Sequence, residues 1–418
     1  MDVVIFHYHL NPGGVTRIIE SQISSLKLVV PEIKIKILCG HCPDIEKYNK
    51  LGASVIIDDN LNYLDEGLSK KELDKKLEYI IRFLKTHAAP SDILHMHNLN
   101  LGKNPLITLS GYKLATEGFK IVNHAHDFAE DRPANWEFLQ SIIEKIYNED
   151  LKSILYPKIR NYHFATLTLF DLHRLQDYDV NCKRKHLLPN PVNLGPVRND
   201  ISRANARNEI IKQLGLENGK KIITYPVRVI QRKNIGEFIL LSQLFADDGH
   251  WLVTQPPKNP KEIVKYNDWK DFCKENQINV FFEVGITMNF ETLLAGSDAC
   301  VTTSVREGFG MVYLEPWLSG TPVIGRELDH VINEFKIQGL TFPFLYDAIY
   351  VNYNGQISDY KDLTVEEKKE LIQWTKNQNY KNEIFSLNPN LKNFLNVISD
   401  EIISNNKKII NKYYSIEK

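Results

Sequence analysis

Strand-like and helix-like stretches alternate along this chain from its first residues to about residue 303, and that alternation confines it to the α/β class. Residues 3–7 form a continuous apolar run of strand length, and residues 15–28 carry Ile18, Ile19, Ile23 and Leu26 at helical spacing. Further short strands are expected at 33–38, 53–57, 92–97, 120–124 and 162–168, with helices around 73–84, 106–116 and 170–176. Strands separated by helices predict parallel sheets covered on both faces. The pattern breaks at Leu188-Pro189-Asn190-Pro191-Val192, and Gly195-Pro196 extends the interruption. It resumes with helices at 204–214, 235–245, 261–276 and 291–295, and strands at 221–225, 251–254, 280–283 and 299–303. The length of 418 residues independently asks for two domains, at roughly 100–200 residues each. The expected architecture is two Rossmann-like, doubly wound parallel-sheet domains, 1–190 and 191–390, facing each other across a cleft. Ligands of such sheets bind outside the carboxyl ends of the strands, so the loops there are where function is sought. The tail, 391–418, carries Leu391, Phe394, Leu395, Val397, Ile398, Ile402 and Ile403 as a helical stripe that either caps the second domain or crosses back to the first.

Charge excludes one broad class. Fifty-one basic residues against 52 acidic ones leave a formal charge of −1, and nucleic-acid binding normally requires a basic field. No apolar run reaches the ~18–20 residues that span a bilayer. The N-terminus enters a strand at once, without the basic and apolar regions of a signal peptide, and a cytoplasmic protein is expected. Five unevenly placed cysteines do not make a disulfide framework. Cys39-Gly40-His41-Cys42 has redox spacing, but Pro43 follows directly and no second ligand pair lies nearby, so it is read as a loop after the second strand.

Three segments carry chemistry. The strand 299–303 runs into Ser304-Val305-Arg306-Glu307-Gly308-Phe309-Gly310, and a helix is expected over 311–318. A glycine-bearing turn at a helix start presents free backbone N–H groups to a phosphate. Glu307 in the turn is suited to accept from sugar hydroxyls, and Glu315 from a ribose diol. Ser319–Gly325 then ends the helix and opens another buried strand. Next, Tyr225-Pro226-Val227-Arg228-Val229-Ile230-Gln231-Arg232-Lys233-Asn234 links a strand to a helix, with Arg228 and Lys233 able to clamp a diphosphate. Cations there stabilise the charge that grows as a nucleotide leaves. Finally, Gly13 and Gly14 permit close backbone approach where the first helix starts.

Together these segments resemble the GT-B fold retaining glycosyltransferases of family 4 type (glycosyl transferases group 1). Glu307 and Glu315 match the E-x7-E motif, Arg228 and Lys233 the Arg-x4-Lys phosphate loop, and Gly13-Gly14-Val15 the N-terminal glycine loop. The resemblance extends over nearly the whole chain and is most specific in Ser304–Gly325. Two departures stand out: Asn234 where the family has Gly after the Lys, and Gly325-Arg326-Glu327-Leu328-Asp329-His330 in place of a glycine-rich turn followed by Glu. The second makes the exit after Gly325 the expected seat of donor preference.

The resemblance implies a metal-independent hexosyltransferase that retains configuration at the anomeric carbon. Its donor is a UDP-, GDP- or ADP-sugar, used as substrate with no resident cofactor. Arg228, Lys233 and the backbone of Gly308, Phe309, Gly310, Met311 and Val312 would hold the donor, Glu315 its ribose, and Glu307 a sugar hydroxyl. The family places a His near the transferred sugar, and His126 fits that pattern best, with His124 as the competing choice. The resemblance also favours the tail helix crossing back to the first domain. On the acceptor side, the polar run 92–104, with Asp127, Glu130, Asp131 and Arg132, suits a small polar molecule or glycan, and Lys103 or Arg132 an anionic group on it. The competing readings are a GT-B phosphorylase or epimerase and a non-catalytic nucleotide-sugar-binding subunit.

Overall fold

The computed structural model describes residues 1–192 and 202–415, which divide into two compact units, 1–191 and 192–415. Gly195-Pro196 and the last three residues of the tail lie outside the described residues.

The first unit is a seven-stranded parallel sheet: β1 (Val3–His9), β2 (Ile35–His41), β3 (Ala53–Ile57), β4 (Ile93–His97), β5 (Lys120–Ala125), β6 (Tyr162–Thr166) and β7 (Lys185–Leu187), in the order β3-β2-β1-β4-β5-β6-β7. Both faces are covered, which is why β1 reads as an unbroken apolar run. Val4, Phe6 and Tyr8 enter one core, and Val3 and Ile5 enter the other. Helix Gly14–Val29 supplies Ile19 and Ile23 to the second of these. Helix Lys70–His87, started by a Ser69/Glu72 capping box, supplies Leu73, Leu77, Ile80 and Leu84 to the first. Each such leucine or isoleucine contributes about 1.5–3 kcal/mol by leaving water. Because β1 lies between β2 and β4, the chain winds one way from β1 to β3 and the other way from β4 onward. The carboxyl ends of β1 and β4 therefore flank a topological switch point.

The second unit repeats this plan with β8 (Lys221–Arg228), β9 (Gly249–Gln255), β10 (Val280–Phe281), β11 (Ala299–Thr302), β12 (Val323–Arg326) and β13 (Leu345–Tyr346), ordered β10-β9-β8-β11-β12-β13. Its switch point falls between β8 and β11. An antiparallel hairpin, Tyr350–Tyr353 with Gln356–Asp359, follows. The hairpin and the helices Pro133–Ile143, Asp329–Ile337, Val365–Trp374 and Gln378–Leu387 go beyond the expected elements.

Three expectations change in detail. Strand β2 continues through Cys39 to His41, so the first cysteine of the C-x-x-C lies inside the sheet rather than in a loop. Burial pushes the Cys39 thiol up to about 12, with Cys42 adding to the effect, which opposes thiolate chemistry. The tail is not one helix. A 3-10 turn, Pro389–Asn393, precedes a separate helix, Asp400–Tyr413, N-capped by Ser399. Through Ser415 the tail packs within the second unit. Phe394 stacks on Phe245, Asn406 bonds both backbone groups of Thr341, and the Tyr414 ring packs on Phe309 and Phe335. Last, the segment after Gly310 is a 3-10 turn, Met311–Tyr313, followed by the short helix Glu315–Leu318, not a continuous helix over 311–318. The left-handed Gly310 (φ 86°) precedes the turn, and Pro316, which has no N–H to bond back to Val312, separates turn from helix.

Candidate functional site

The loops leaving β8 and β11 are stitched together. Thr303 Oγ1 donates to the Lys233 and Asn234 carbonyls at 2.9 and 3.0 Å, and Val305 N donates to the Arg232 carbonyl at 2.9 Å. Asn234 stands in the left-handed region, φ 55°, which explains how it replaces a glycine: Asn is among the side chains that tolerate this conformation. Its amide is fixed 2.8 Å from Glu237 Oε2.

This stitching brings Lys233 and Glu307 into direct contact, although both are buried. Arg232, which sequence reasoning passed over, donates to Glu307 Oε2 at 2.7 Å and to the Arg306 carbonyl at 2.6 Å. Burial alone would raise the Glu307 carboxyl, but Lys233 and Arg232 outweigh it and hold the group below the usual carboxylate range. Burial draws the Lys233 ammonium below its ordinary value, Arg232 adds to this, and Glu307 and Glu315 oppose it. The result is a fixed, ionised acceptor beside two cations. Glu315 heads its helix near enough to act electrostatically on both Lys233 and Cys300. Arg228, at the end of β8, stands apart from the Lys233–Glu307 ion pair. It reaches Gln255 Oε1 at 3.5 Å, and its buried Nε has no partner.

Of the residues expected to present backbone to a phosphate, Gly308 is exposed and Met311 half-buried, whereas Phe309 and Val312 are core side chains. At Gly310 a Cβ would lie 2.4 Å from Val331 Cγ1, so this glycine is required by packing as well as by its φ. The exit after Gly325 also has a packing explanation. Gly325 (φ 122°) passes so close that a Cβ would sit 2.0 Å from the Thr302 carbonyl oxygen. Arg326 turns inward, donating from Nε and Nη2 to Glu237 at 2.9 and 2.6 Å and from Nη2 and Nη1 to Asp359 at 2.7 and 2.8 Å.

In the first unit, His126 follows β5 and is 8% exposed, whereas His124 is wholly buried. Asn98, left-handed at φ 62°, accepts from the His126 and Asp127 amides at 2.9 and 3.2 Å and so fixes this turn. His126 Nε2 lies 2.8 Å from His97 Nδ1, and His124 Nδ1 lies 3.1 Å from His95 Nε2. The sequence reading missed how far this layer of imidazoles extends, since His7, His9, His95 and His97 share it. Burial keeps these rings neutral, lowering His126 and His7 to about 3 and His95 to about 4. One nitrogen from each of His95, His97 and His124 lies within 4.8 Å of the others, a spacing from which three imidazoles can close on a metal ion. Gly13 and Gly14 are exposed at the start of helix Gly14–Val29, where no side chain caps the helix. A Cβ on Gly14 would meet nothing within 4 Å, so packing within the unit does not require that glycine.

No family model matches the chain. The chain is 30% identical over 353 residues to mannosylglucosyl-3-phosphoglycerate synthase of Petrotoga mobilis, an alignment covering 80% of this chain and 66% of that protein. It thus spans just under two thirds of the relative's length. Among solved structures, sucrose-phosphate synthase from Thermosynechococcus elongatus superposes with a TM-score of 0.62 at 16% identity, covering 100% of this chain and 95% of that one. Anabaena HepE in complex with UDP-glucose gives 0.57 at 14%, covering 100% and 96%. The apo structure of OtsA gives 0.61 at 12%, covering 100% and 97%. At these identities the solved structures speak for the fold, two parallel α/β sheets of the GT-B kind. The solved structures thus place the chain in the GT-B fold, and its sequence is similar to that of the Petrotoga synthase over most of its length.

Proposed function

We propose that this chain is a retaining hexosyltransferase of family 4 type, moving a hexosyl group from a nucleotide-diphospho-sugar to a small polar acceptor. The observation that carries the reading is the buried Lys233–Glu307 contact at the β8–β11 switch point, with the unpaired Nε of Arg228 on the same strand end. Lys233 and Arg228 offer the donor diphosphate a point charge and a fork, and the charge that develops on the leaving nucleotide is stabilised there. Glu307, held ionised, accepts from a hydroxyl of the transferred sugar, and Glu315 from the ribose. In the first unit His126, more exposed than His124, is the imidazole assigned to the sugar. The leaving phosphate takes the acceptor's proton on the same face, so the reaction needs neither a metal nor a covalent glycosyl-enzyme. The phosphoglycerate in one relative's name and the UDP-glucose bound by a structural neighbour support a phosphate-bearing acceptor and a nucleotide-sugar donor. No helix of the described residues is long and apolar enough to cross a membrane. The five cysteines are free, which fits work in a reducing cytoplasm.

Turnover of UDP-, GDP- and ADP-sugars by Lys233→Ala and Arg228→Ala proteins tests this. Transfer is expected to fall about 10²–10³-fold in each, the scale seen when one preorganised charge-stabilising donor is removed. Removing Lys233 also leaves Glu307 with one fewer counter-charge, so its melting temperature should drop. Arg228 has no carboxylate partner among the described residues, and its substitution separates catalysis from stability. Full activity in both variants would sink the diphosphate assignment, and tight nucleotide binding without turnover would make the chain a binding subunit.

A further inference from the structure

A second charged locus lies at the carboxyl end of the first sheet, beside its own switch point. His9 closes β1, Tyr63 follows β3, Lys103 follows β4, and Arg132 follows β5. The loops are fixed to one another: Leu64 N donates to the Lys103 carbonyl at 3.0 Å, and the Asn104 amide donates to the Asn62 carbonyl at 2.7 Å. Lys103 Nζ sits 5.6 Å from the centre of the Tyr63 ring and donates to Asn135 Oδ1 at 3.2 Å. The Tyr63 hydroxyl is 3.3 Å from His9 Nε2. Arg132 pairs with Asp127 at 2.6 Å, one turn-residue beyond His126.

The charges here do not balance. Lys103 is half-buried, and no carboxylate of the described residues lies within ion-pair distance of it; its polar partner is a neutral amide. Arg132 is close enough to act on it as a like charge, so burial and repulsion both pull the lysine below its ordinary value. Asp127 is the single carboxylate paired with Arg132, and burial keeps His9 and His7 below the ordinary imidazole value, adding no compensating charge. Two cations thus share one carboxylate, the lysine half-buried and the Arg132–Asp127 pair open to solvent, an arrangement that an incoming anion would balance. The ring face of Tyr63 also attracts the ammonium, and among the described residues Asn135 is the acceptor beside it.

We infer that this locus binds the phosphate or carboxylate group of a small anionic acceptor, with Lys103 as point charge, Arg132 as fork and the Tyr63 hydroxyl as third donor. The inference rests on the proposed transferase reading for the word acceptor, and on the first unit alone for the site. Asp127 competes with the ligand for Arg132, so ligand entry loosens that pair beside His126 and couples acceptor capture to the adjacent imidazole.

The test is calorimetric titration of the full chain with three probes: 3-phosphoglycerate, glycerol 3-phosphate and glycerate, each with and without UDP. Lys103→Met and Arg132→Gln should each weaken the phosphate-bearing probes by 10-fold or more, Lys103→Arg should restore most of the affinity, and UDP binding should not change. Preference for glycerol 3-phosphate over glycerate assigns the pocket to phosphate, and the reverse to carboxylate. Equal affinity in wild type and both variants, with melting temperatures intact, overturns the site. So does failure of all three anions to bind wild type at millimolar concentration while UDP binds. If UDP fails and the anions bind through Lys103 and Arg132, the transferase reading falls and the anion site stands.

Discussion

Six histidines, His7, His9, His95, His97, His124 and His126, meet at the carboxyl ends of β1, β4 and β5. Unfolded, each imidazole takes a proton near its ordinary value of about 6.5. Folded, His7 and His126 do so only at about 3 and His95 at about 4, because burial penalises the charged ring. Below pH 6.5 the unfolded chain therefore binds more protons than the folded one. The stability these rings allow is complete above that value and is lost as pH falls toward 4, at about 1.4 kcal/mol per pH unit for each ring. Glu307 behaves oppositely in range: its lowered carboxyl costs stability only below the ordinary carboxylate values. Hydrogen exchange between pH 7 and 5 should then show amides of β4 and β5 losing protection faster than those of β8 and β9. Equal loss in both sheets would contradict it. Sequence reading found His124 and His126 because a motif singled them out. It missed the rest because it did not establish that β1, β4 and β5 are neighbours. Arg232 was overlooked for a similar reason: a spacing rule chose Arg228 and Lys233, while the contact to Glu307 depends on how two loops fold against each other.

At the scale of elements, the segment leaving β12 has a packing role that its sequence did not reveal. Its departure from the family pattern suggested a donor-selecting wall. Its first residue, Arg326, is 1% exposed and bonded to Asp359 and to Glu237, whose carboxylate also holds the Tyr346 hydroxyl and the Asn234 amide. Replacing one partner of such a buried pair strands the other. Glu237→Gln is accordingly expected to cost about 3–5 kcal/mol in urea unfolding of the second unit. The ranking among UDP-, GDP- and ADP-sugars should stay as in wild type, and a changed ranking at unchanged stability would return donor choice to this segment. The tail illustrates the same limit. Its apolar stripe was visible, but Asn388, Pro389 and the Ser399 cap divide it into a 3-10 turn and a helix, and the partners of Phe394 and Tyr414 are distant in sequence.

For the molecule as a whole, the alternation of elements predicted two parallel α/β units because helical crossovers between parallel strands leave that pattern in any sequence. Strand order was not in the pattern, and it is strand order that makes one switch point at β1–β4 and another at β8–β11. Each unit thus carries its own concentration of charge: Lys103 and Arg132 in the first, Arg228, Lys233 and Glu307 in the second. If the second holds the nucleotide, saturating UDP stabilises that unit by RT ln(1 + [L]/Kd), about 2.7 kcal/mol at 100 times Kd. Amides of the β8 and β9 core that exchange through opening of the unit should slow by roughly 100-fold, with direct protection over residues 228–234 and 304–315. In the first unit, protection over 98–104 and 127–135 should instead follow 3-phosphoglycerate. The two patterns are separable because the residues responsible lie in different sheets with different cores. UDP protection centred on β1 and β4, with none at 228–234, would move the nucleotide to the first unit and undo the assignment of both sites.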